Sequence, residues 1–246
     1  MSKAKHFLVA DGETVGLGKR ALVYDFAYVI ATRKEVKLER AFLIREILTS
    51  PSVMLRAMMS DHWRLGFGGK IFSHYVPALD TSHLRLFDWD DVVATLRDDM
   101  RTYSVDVFSA YNLGFDMRAL GRTQEYLRDG GKILEYRPTL LDLWQFACET
   151  VCNTRLYHDT ARAYGTETGW ITAADNVRTT AEKVYAYLTQ QFDFIESHTA
   201  LEDAQIETEI LQRLLAQKKK IPYDVLDHMP WRLAQRVIDD DMLSGV

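Results

Sequence analysis

The stretch "KHFLVADGETVG", residues 5–16, decides how the chain is read. An apolar run through Phe7, Leu8, Val9 and Ala10 ends at Asp11, and Glu13 follows two residues later. In an extended strand, residues two apart project to one side, so the two carboxylates stand about 7 Å apart beside a hydrophobic strand. Like charges this close raise each other's pKa and cost stability. A chain that keeps both needs something to place between them.

Working outward, "ALVYDFAYVIAT" (21–32) and "LERAFLIRE" (38–46) are two more strands, rich in Val, Tyr, Phe, Leu and Ile. Short segments with Gly, Lys and Arg separate the three, which suits an antiparallel meander. Residues 47–88 carry Pro51, "GFGG" and Pro77 and read as an irregular insertion over the sheet, with a short helix around "SVMLRAMM". "WDDVVATLRDDMRTY" (89–103) is helical, with Val92, Val93, Leu96 and Met100 on one stripe. "VDVFSAY" (105–111) is a fourth strand and runs into the helix "NLGFDMRALGRTQEYL", with Asn112 as its N-cap. A short strand near 132–136 and a helix across 141–153 follow. Thr179 with Glu182, and Thr199 with Glu202, have capping-box spacing and open the last two helices. The expected fold is α/β, a mixed five-stranded sheet flanked by helices. Residues 1–216 form one domain, and 217–246 form a helical tail packed on it.

The bulk composition sets limits. The 246 residues are 47% hydrophobic and 26% charged, as in an ordinary globular protein. No apolar run approaches the ~18–20 residues that span a bilayer, and the N-terminus does not resemble a secretory signal. A cytoplasmic protein without a membrane partner is expected. A net charge of −5 argues against non-specific coating of duplex nucleic acid, though not against a local grip on a short strand. The only cysteines, Cys148 and Cys152, lack companions for a zinc site and read as a reduced, packed pair.

Two further acids sit where a surface charge should not. Asp203 shares a helical stripe with Ile206, Ile210 and Leu214, and Asp116 shares a face with Ala119 and Leu120. An unpaired ionised acid facing a core costs several kcal/mol. Either one alone would ordinarily meet an arginine or a backbone amide. A strand 105–111 parallel to the first, however, would bring Asp116 beside Asp11. Converging carboxylates are resolved by hard divalent cations, Mg²⁺ or Mn²⁺, which take oxygen ligands. His198 falls just before the Thr199 cap, five residues ahead of Asp203. An imidazole there is suited to act as a general base on water.

These residues resemble the DEDDh family of 3′–5′ exonucleases on the ribonuclease H-like fold, whose relatives include the proofreading subunit of bacterial replicative polymerase and RNase T. The family's D-x-E-T appears as "DGET" with Gly16-Leu17 after it, its H-N-x-x-F-D as "YNLGFD", and its H-x(4)-D as "HTALED". The tyrosine version of the last motif would need Tyr at 199, which is Thr. The stretch from Thr179 to Ile210 further resembles family members encoded by bacteriophages, for which the host cytoplasm would be the location. Val15 and Tyr111 depart from the family's usual Thr and His, at positions that carry no metal ligand in the pattern.

The resemblance implies two divalent cations and hydrolysis at single-stranded 3′ ends, with DNA the expected substrate. Asp11 would bridge the cations, Glu13 and Asp203 would complete the first site, and Asp116 would support the second. His198 would deprotonate the attacking water. Gly12 and Thr14 would approach the terminal nucleotide, with Leu17 wedged against its base, Phe115 beside it and Asn112 holding the loop or sugar. Arg118, Arg122, Arg178 and Lys218–Lys220 are candidates for phosphate contacts, although a lysine run at a helix end is commonly solvated. Trp63, Trp170 and Trp231 have no assigned place. Two alternatives stand beside this reading. One is an RNA-trimming enzyme of the RNase T or oligoribonuclease kind, the other a non-catalytic module that binds nucleic acid or a polymerase.

Overall fold

The computed structural model describes residues 5–16, 20–58, 75 and 85–236. Leu17, Trp63, most of the 47–88 insertion and the end of the tail therefore lie outside the described residues. Strands β1 (Phe7–Val15), β2 (Leu22–Ala31) and β3 (Val36–Ile44) form the expected antiparallel meander. Strand β4 (Leu86–Phe87) lies parallel to the end of β3, while β5 (Val107–Ala110) and β6 (Thr139–Asp142) add in parallel beyond β1. The order is β4-β3-β2-β1-β5-β6, six strands rather than five. The addition is the two-residue β4, too short to leave a strand pattern in the sequence.

All ten residues of β2 are buried, which explains its nearly unbroken apolar run: helices cover both sheet faces at this strand. The parity of β1 divides the core. Leu8 and Ala10 pack on the face covered by α3 (Trp89–Thr102) and α4 (Leu113–Arg128). Phe7 and Val9 pack on the other face, against Leu143, Phe146, Ile210 and Leu214. Those residues come from α5 (Leu143–Ala147) and α8 (Ala200–Ala216), with α6 (Arg155–Tyr164) and α7 (Ala181–Thr189) between them in sequence. The short helices α1 (Arg45–Leu48) and α2 (Pro51–Met58) follow β3, and α9 (Trp231–Ala234) lies in the tail. Among the described residues no helix is long and apolar enough to cross a membrane.

Three local expectations are corrected. Residues 132–136 are not a strand. Ile133 and Leu134 pack on the first core face, and Arg97 takes the Lys132 and Ile133 carbonyls with its side chain. The strand instead begins after Pro138, at Thr139. The helix across 141–153 starts two residues later, because Asp142 ends β6 and caps α5, and it widens into a π-helical turn at Cys148–Cys152. The cap of α7 is Thr180, not Thr179, whose hydroxyl instead accepts from the Trp144 indole at 2.7 Å. Cys148 and Cys152 are buried free thiols.

Candidate active site

Asp11 follows the parity of Phe7 and Val9, so it emerges on the face covered by α8, just beyond the point where β5 ends. Pairing of β1 with β5 stops at Val9–Ser109, and the chain turns there into α4. This geometry brings carboxylates from three elements together. Asp11 and Glu13 come from β1, Asp116 from the first turn of α4, and Asp203 from the first turn of α8. All four line one cleft of about 590 Å³, together with His198, Gly12, Asn112 and Phe115. Thr14 lies past a bulge at Glu13/Thr14, does not line the cleft, and gives its hydroxyl to the Gly16 carbonyl at 3.3 Å. Phe115 both lines the cleft and packs against the first core face.

The helix starts aim the acids. Asn112 stands at the N-cap position of α4 with φ +69° but makes no side-chain cap bond. The Asp142 carboxylate takes over, accepting from the amides of Asn112 and Leu113 as well as from Trp144 and Gln145 at 2.9 and 3.2 Å. At α8 the Thr199 hydroxyl bonds Glu202 at 3.0 Å, and the Ala200 amide goes to Asp25 of β2 at 3.1 Å. Asp25 also accepts the Tyr75 hydroxyl, so a residue of the insertion reaches the base of the histidine loop. His198 has φ +56°, a left-handed conformation uncommon for a residue with a Cβ. Glu196 Oε2 lies 3.6 Å from His198 Nδ1, beyond hydrogen-bond length but within ion-pair reach of a protonated ring.

The electrostatics are those of a cluster built to receive positive charge. Burial pushes Asp11 well above the usual carboxylate range, and repulsion from Glu207, Asp116, Asp203 and Glu13 pushes it further. Burial also raises Asp116, helped by Asp142 and Glu13, with its own backbone bond and Arg118 pulling the other way. One ligand atom from each of Glu13, His198 and Asp203 lies within 4.8 Å of the other two. Donors on opposite sides of a Mg²⁺ ion stand about 4.2 Å apart, so the carboxylates of Glu13 and Asp203 fit one cation after small adjustment, with the His198 imidazole beside it. The donor set, mostly hard oxygens, matches Mg²⁺ or Mn²⁺ rather than a thiophilic metal.

Glu207 is the acid that sequence reasoning missed. It is 3% exposed, is the first of the charges acting on Asp11, and accepts the Tyr111 amide at 2.9 Å. It lies four residues after Asp203, on the same helical face, and that spacing was its signal. Burial raises its pKa as well, and Asp116 adds to the rise. Tyr111 lines the cleft and gives its hydroxyl to the Thr179 carbonyl, which ties the end of β5 to the segment before α7. Of the candidate phosphate contacts, Arg178 lines the cleft, whereas Lys219 is folded back on the Thr150 carbonyl at 2.9 Å. Trp170 is buried core, and Trp231 lines the cleft.

No protein-family model matches the sequence, and no curated protein matches it either. Solved structures do. A full-length 3′-exonuclease superposes with a TM-score of 0.55 at 12% identity, over 94% of this chain and 90% of that one. Cell-death related nuclease 4 superposes at 0.50 and 12% identity, over 89% of this chain and 66% of that one. Exonuclease X in complex with 5′ overhanging duplex DNA gives 0.43 at 15% identity, over 86% and 92%. The first two likenesses establish the fold: the chain has the mixed, helix-flanked sheet of these nucleases, the ribonuclease H-like architecture expected from its sequence.

Proposed function

We propose that the chain is a metal-dependent 3′–5′ exonuclease of the DEDDh branch, acting on single-stranded nucleic-acid 3′ ends and on DNA in preference to RNA. The observation that carries this reading is the convergence of Asp11, Glu13, Asp116, Asp203 and His198 in one cleft at the end of the central strands. Such a cluster opposes folding unless cations are bound, so structure alone does not account for it. The fold shared with solved 3′-exonucleases supports it, as do the three motifs in order. The cleft lies in residues 1–216 and is joined by Trp231 of the tail, which is why we treat the chain as one functional domain.

Asp11, Glu13, Asp116 and Asp203 would hold two divalent cations. When bound, these would lower the pKa of water and offset charge on the scissile phosphate. The protein's own part is positional and acid–base. His198 takes the proton as water oxygen bonds to phosphorus and the bond from phosphorus to the 3′ oxygen breaks. The products are a 5′-mononucleotide and a chain shortened by one. Glu196 beside Nδ1 favours the imidazolium so formed, as a carboxylate next to histidine does in other hydrolases. Gly12 and Asn112 line the cleft without bulk or charge, where a terminal nucleotide would lie.

The test uses single-stranded DNA and RNA oligonucleotides labelled at the 5′ end, with Mg²⁺, Mn²⁺ or EDTA. Progressive shortening from the 3′ end that EDTA abolishes is expected, faster on DNA. Faster loss of RNA would move the substrate to the RNA-trimming kind. No shortening of either with both metals would leave the binding-module reading.

A further inference from the structure

Beyond the acids, the cleft has a second part of different chemistry. Thr172, Asn176, Val177, Arg178 and Thr180 line it, together with Trp231 from the tail, and none of these is acidic. Arg178 is the one arginine or lysine among the described lining residues, and it is exposed. Trp231 is half-buried.

This wall is irregular in backbone yet firmly held. Gln235 pairs with both backbone groups of Val177, accepting from its amide at 3.1 Å and donating to its carbonyl at 3.2 Å. His158 bonds the Ala234 carbonyl at 2.7 Å, and Ala234 is fully buried. The segment that receives them is pinned in turn. The Tyr157 hydroxyl donates to the Arg178 carbonyl at 2.6 Å, and the Arg178 amide donates to the Trp170 carbonyl at 2.8 Å. Arg232 lies 5.7 Å from the Trp231 ring centroid. These bonds use the backbone of Arg178 and the far end of α9, and they hold Arg178 and Trp231 among the residues that line the cleft.

An aromatic residue and a cation on one cleft wall that carries no acid are the chemistry that binds single-stranded nucleic acid. Bases stack on the ring, and the guanidinium meets a phosphate. We infer that Trp231 and Arg178 form a nucleotide subsite, in which a base of the single strand stacks on the indole while the adjoining phosphate meets the guanidinium. The tail, in this view, is part of the substrate cleft and not packing alone. The inference rests on the nuclease reading and adds to it a site upstream of the reacting phosphate.

Stacking on one aromatic residue is worth about a 5- to 150-fold change in affinity. The experiment measures kcat and KM for hydrolysis of a single-stranded DNA hexanucleotide by wild type, Trp231→Ala, Trp231→Phe and Arg178→Ala. Folding of each variant is checked by circular dichroism. Trp231→Ala should raise KM by about 10- to 100-fold with kcat within about twofold, and Trp231→Phe should restore most of the loss. Arg178→Ala should reduce the slope of log KM against log salt by about 0.7, the share of one phosphate on a single strand. An unchanged KM in folded Trp231→Ala overturns the subsite while the nuclease reading stands. Loss of kcat and KM together with loss of fold, not restored by Phe, also overturns it for the indole, and an unchanged salt slope in Arg178→Ala overturns it for the guanidinium. A wild-type protein that neither cleaves nor binds the hexanucleotide overturns both readings at once.

Discussion

Asp142 offers a test in which stability and activity move in opposite directions. Its Oδ1 accepts from the Trp144 and Gln145 amides, and the Asn112 and Leu113 amides also reach the carboxylate. Burial nevertheless outweighs these bonds and pushes its pKa from the ordinary 3.8 up to about 6. An acid whose pKa is raised by folding loses stability as pH rises. No penalty exists well below 3.8, it grows between 3.8 and about 6, and it is constant above. The gap is about two pH units at about 1.4 kcal/mol each, so the ionised side chain opposes folding by about 3 kcal/mol at pH 7.5. At pH 4 the same linkage leaves only about 0.5 kcal/mol.

Asp142→Asn matches the shape of the protonated acid and cannot ionise. In EDTA at pH 7.5 it should be more stable than wild type by about 3 kcal/mol, a rise in Tm of about 6–12 °C for a chain of this size. At pH 4 the two proteins should nearly coincide. Removing this charge also relieves Asp116, which Asp142 helps to raise. Activity should fall all the same, by about tenfold or more. One carboxylate oxygen becomes an NH₂ group, so the four amides no longer all have an acceptor, and the turn that aims Asp116 loosens. Urea unfolding at the two pH values, with hydrolysis rates in Mg²⁺, tests both halves. A variant less stable than wild type by equal amounts at pH 4 and pH 7.5 would refute the argument, since the amides would then outweigh the burial of charge.

The remaining expectations concern the acid cluster itself. Asp11→Ala and Asp203→Ala should each abolish turnover while leaving a protein at least as stable in EDTA, because like-charge repulsion is relieved; near-full activity in either, with unfolding followed in parallel, would remove that residue from the site. His198→Ala should slow hydrolysis by about 10²–10⁴ without loss of oligonucleotide binding, as read by single-turnover rates and fluorescence anisotropy. Glu207→Gln keeps an acceptor for the Tyr111 amide and removes the first charge acting on Asp11, so at pH 7.5 in EDTA it should unfold at higher urea than Glu207→Ala. Mn²⁺ at about a hundred times its Kd should stabilise wild type by about 2.7 kcal/mol in thermal unfolding, and Asp203→Asn should lose most of that gain.

What was legible in the sequence follows a physical rule. Asp11, Asp116 and Asp203 each interrupt an apolar pattern whose period is known, two for β1 and 3.6 for α4 and α8, so each declares itself by standing on the wrong face. His198 is visible because it sits just outside a helix start. Strand β2 reads correctly because burial on both faces requires an unbroken apolar run. Contacts of the acids that act as caps were not legible. Asp142 at the end of β6 looks like an ordinary N-cap, and nothing local reveals that the amides of Asn112 and Leu113, thirty residues away, also use it. Asp25 holds the Ala200 amide across 175 residues, a partnership no window of sequence contains.

Glu207 joins both cases and explains why the cluster holds together. On α8 it shares the core-facing side with Asp203, yet its carboxylate spends one oxygen on the Tyr111 amide at the end of β5. That bond fastens α8 to the strand from which Asp116 departs, while Asp25 fastens the start of the same helix to the strand that pairs with β1. The acids that repel are therefore carried on elements stapled together by other acids through backbone amides. Amides are donors that cannot ionise, and they hold a carboxylate in place without neutralising it. A scaffold that used arginines for the same purpose would fix the geometry equally well but would cancel the negative field on which the proposed binding of divalent cations depends. The choice of amide over guanidinium thus accounts for both the rigidity of this cleft and its charge.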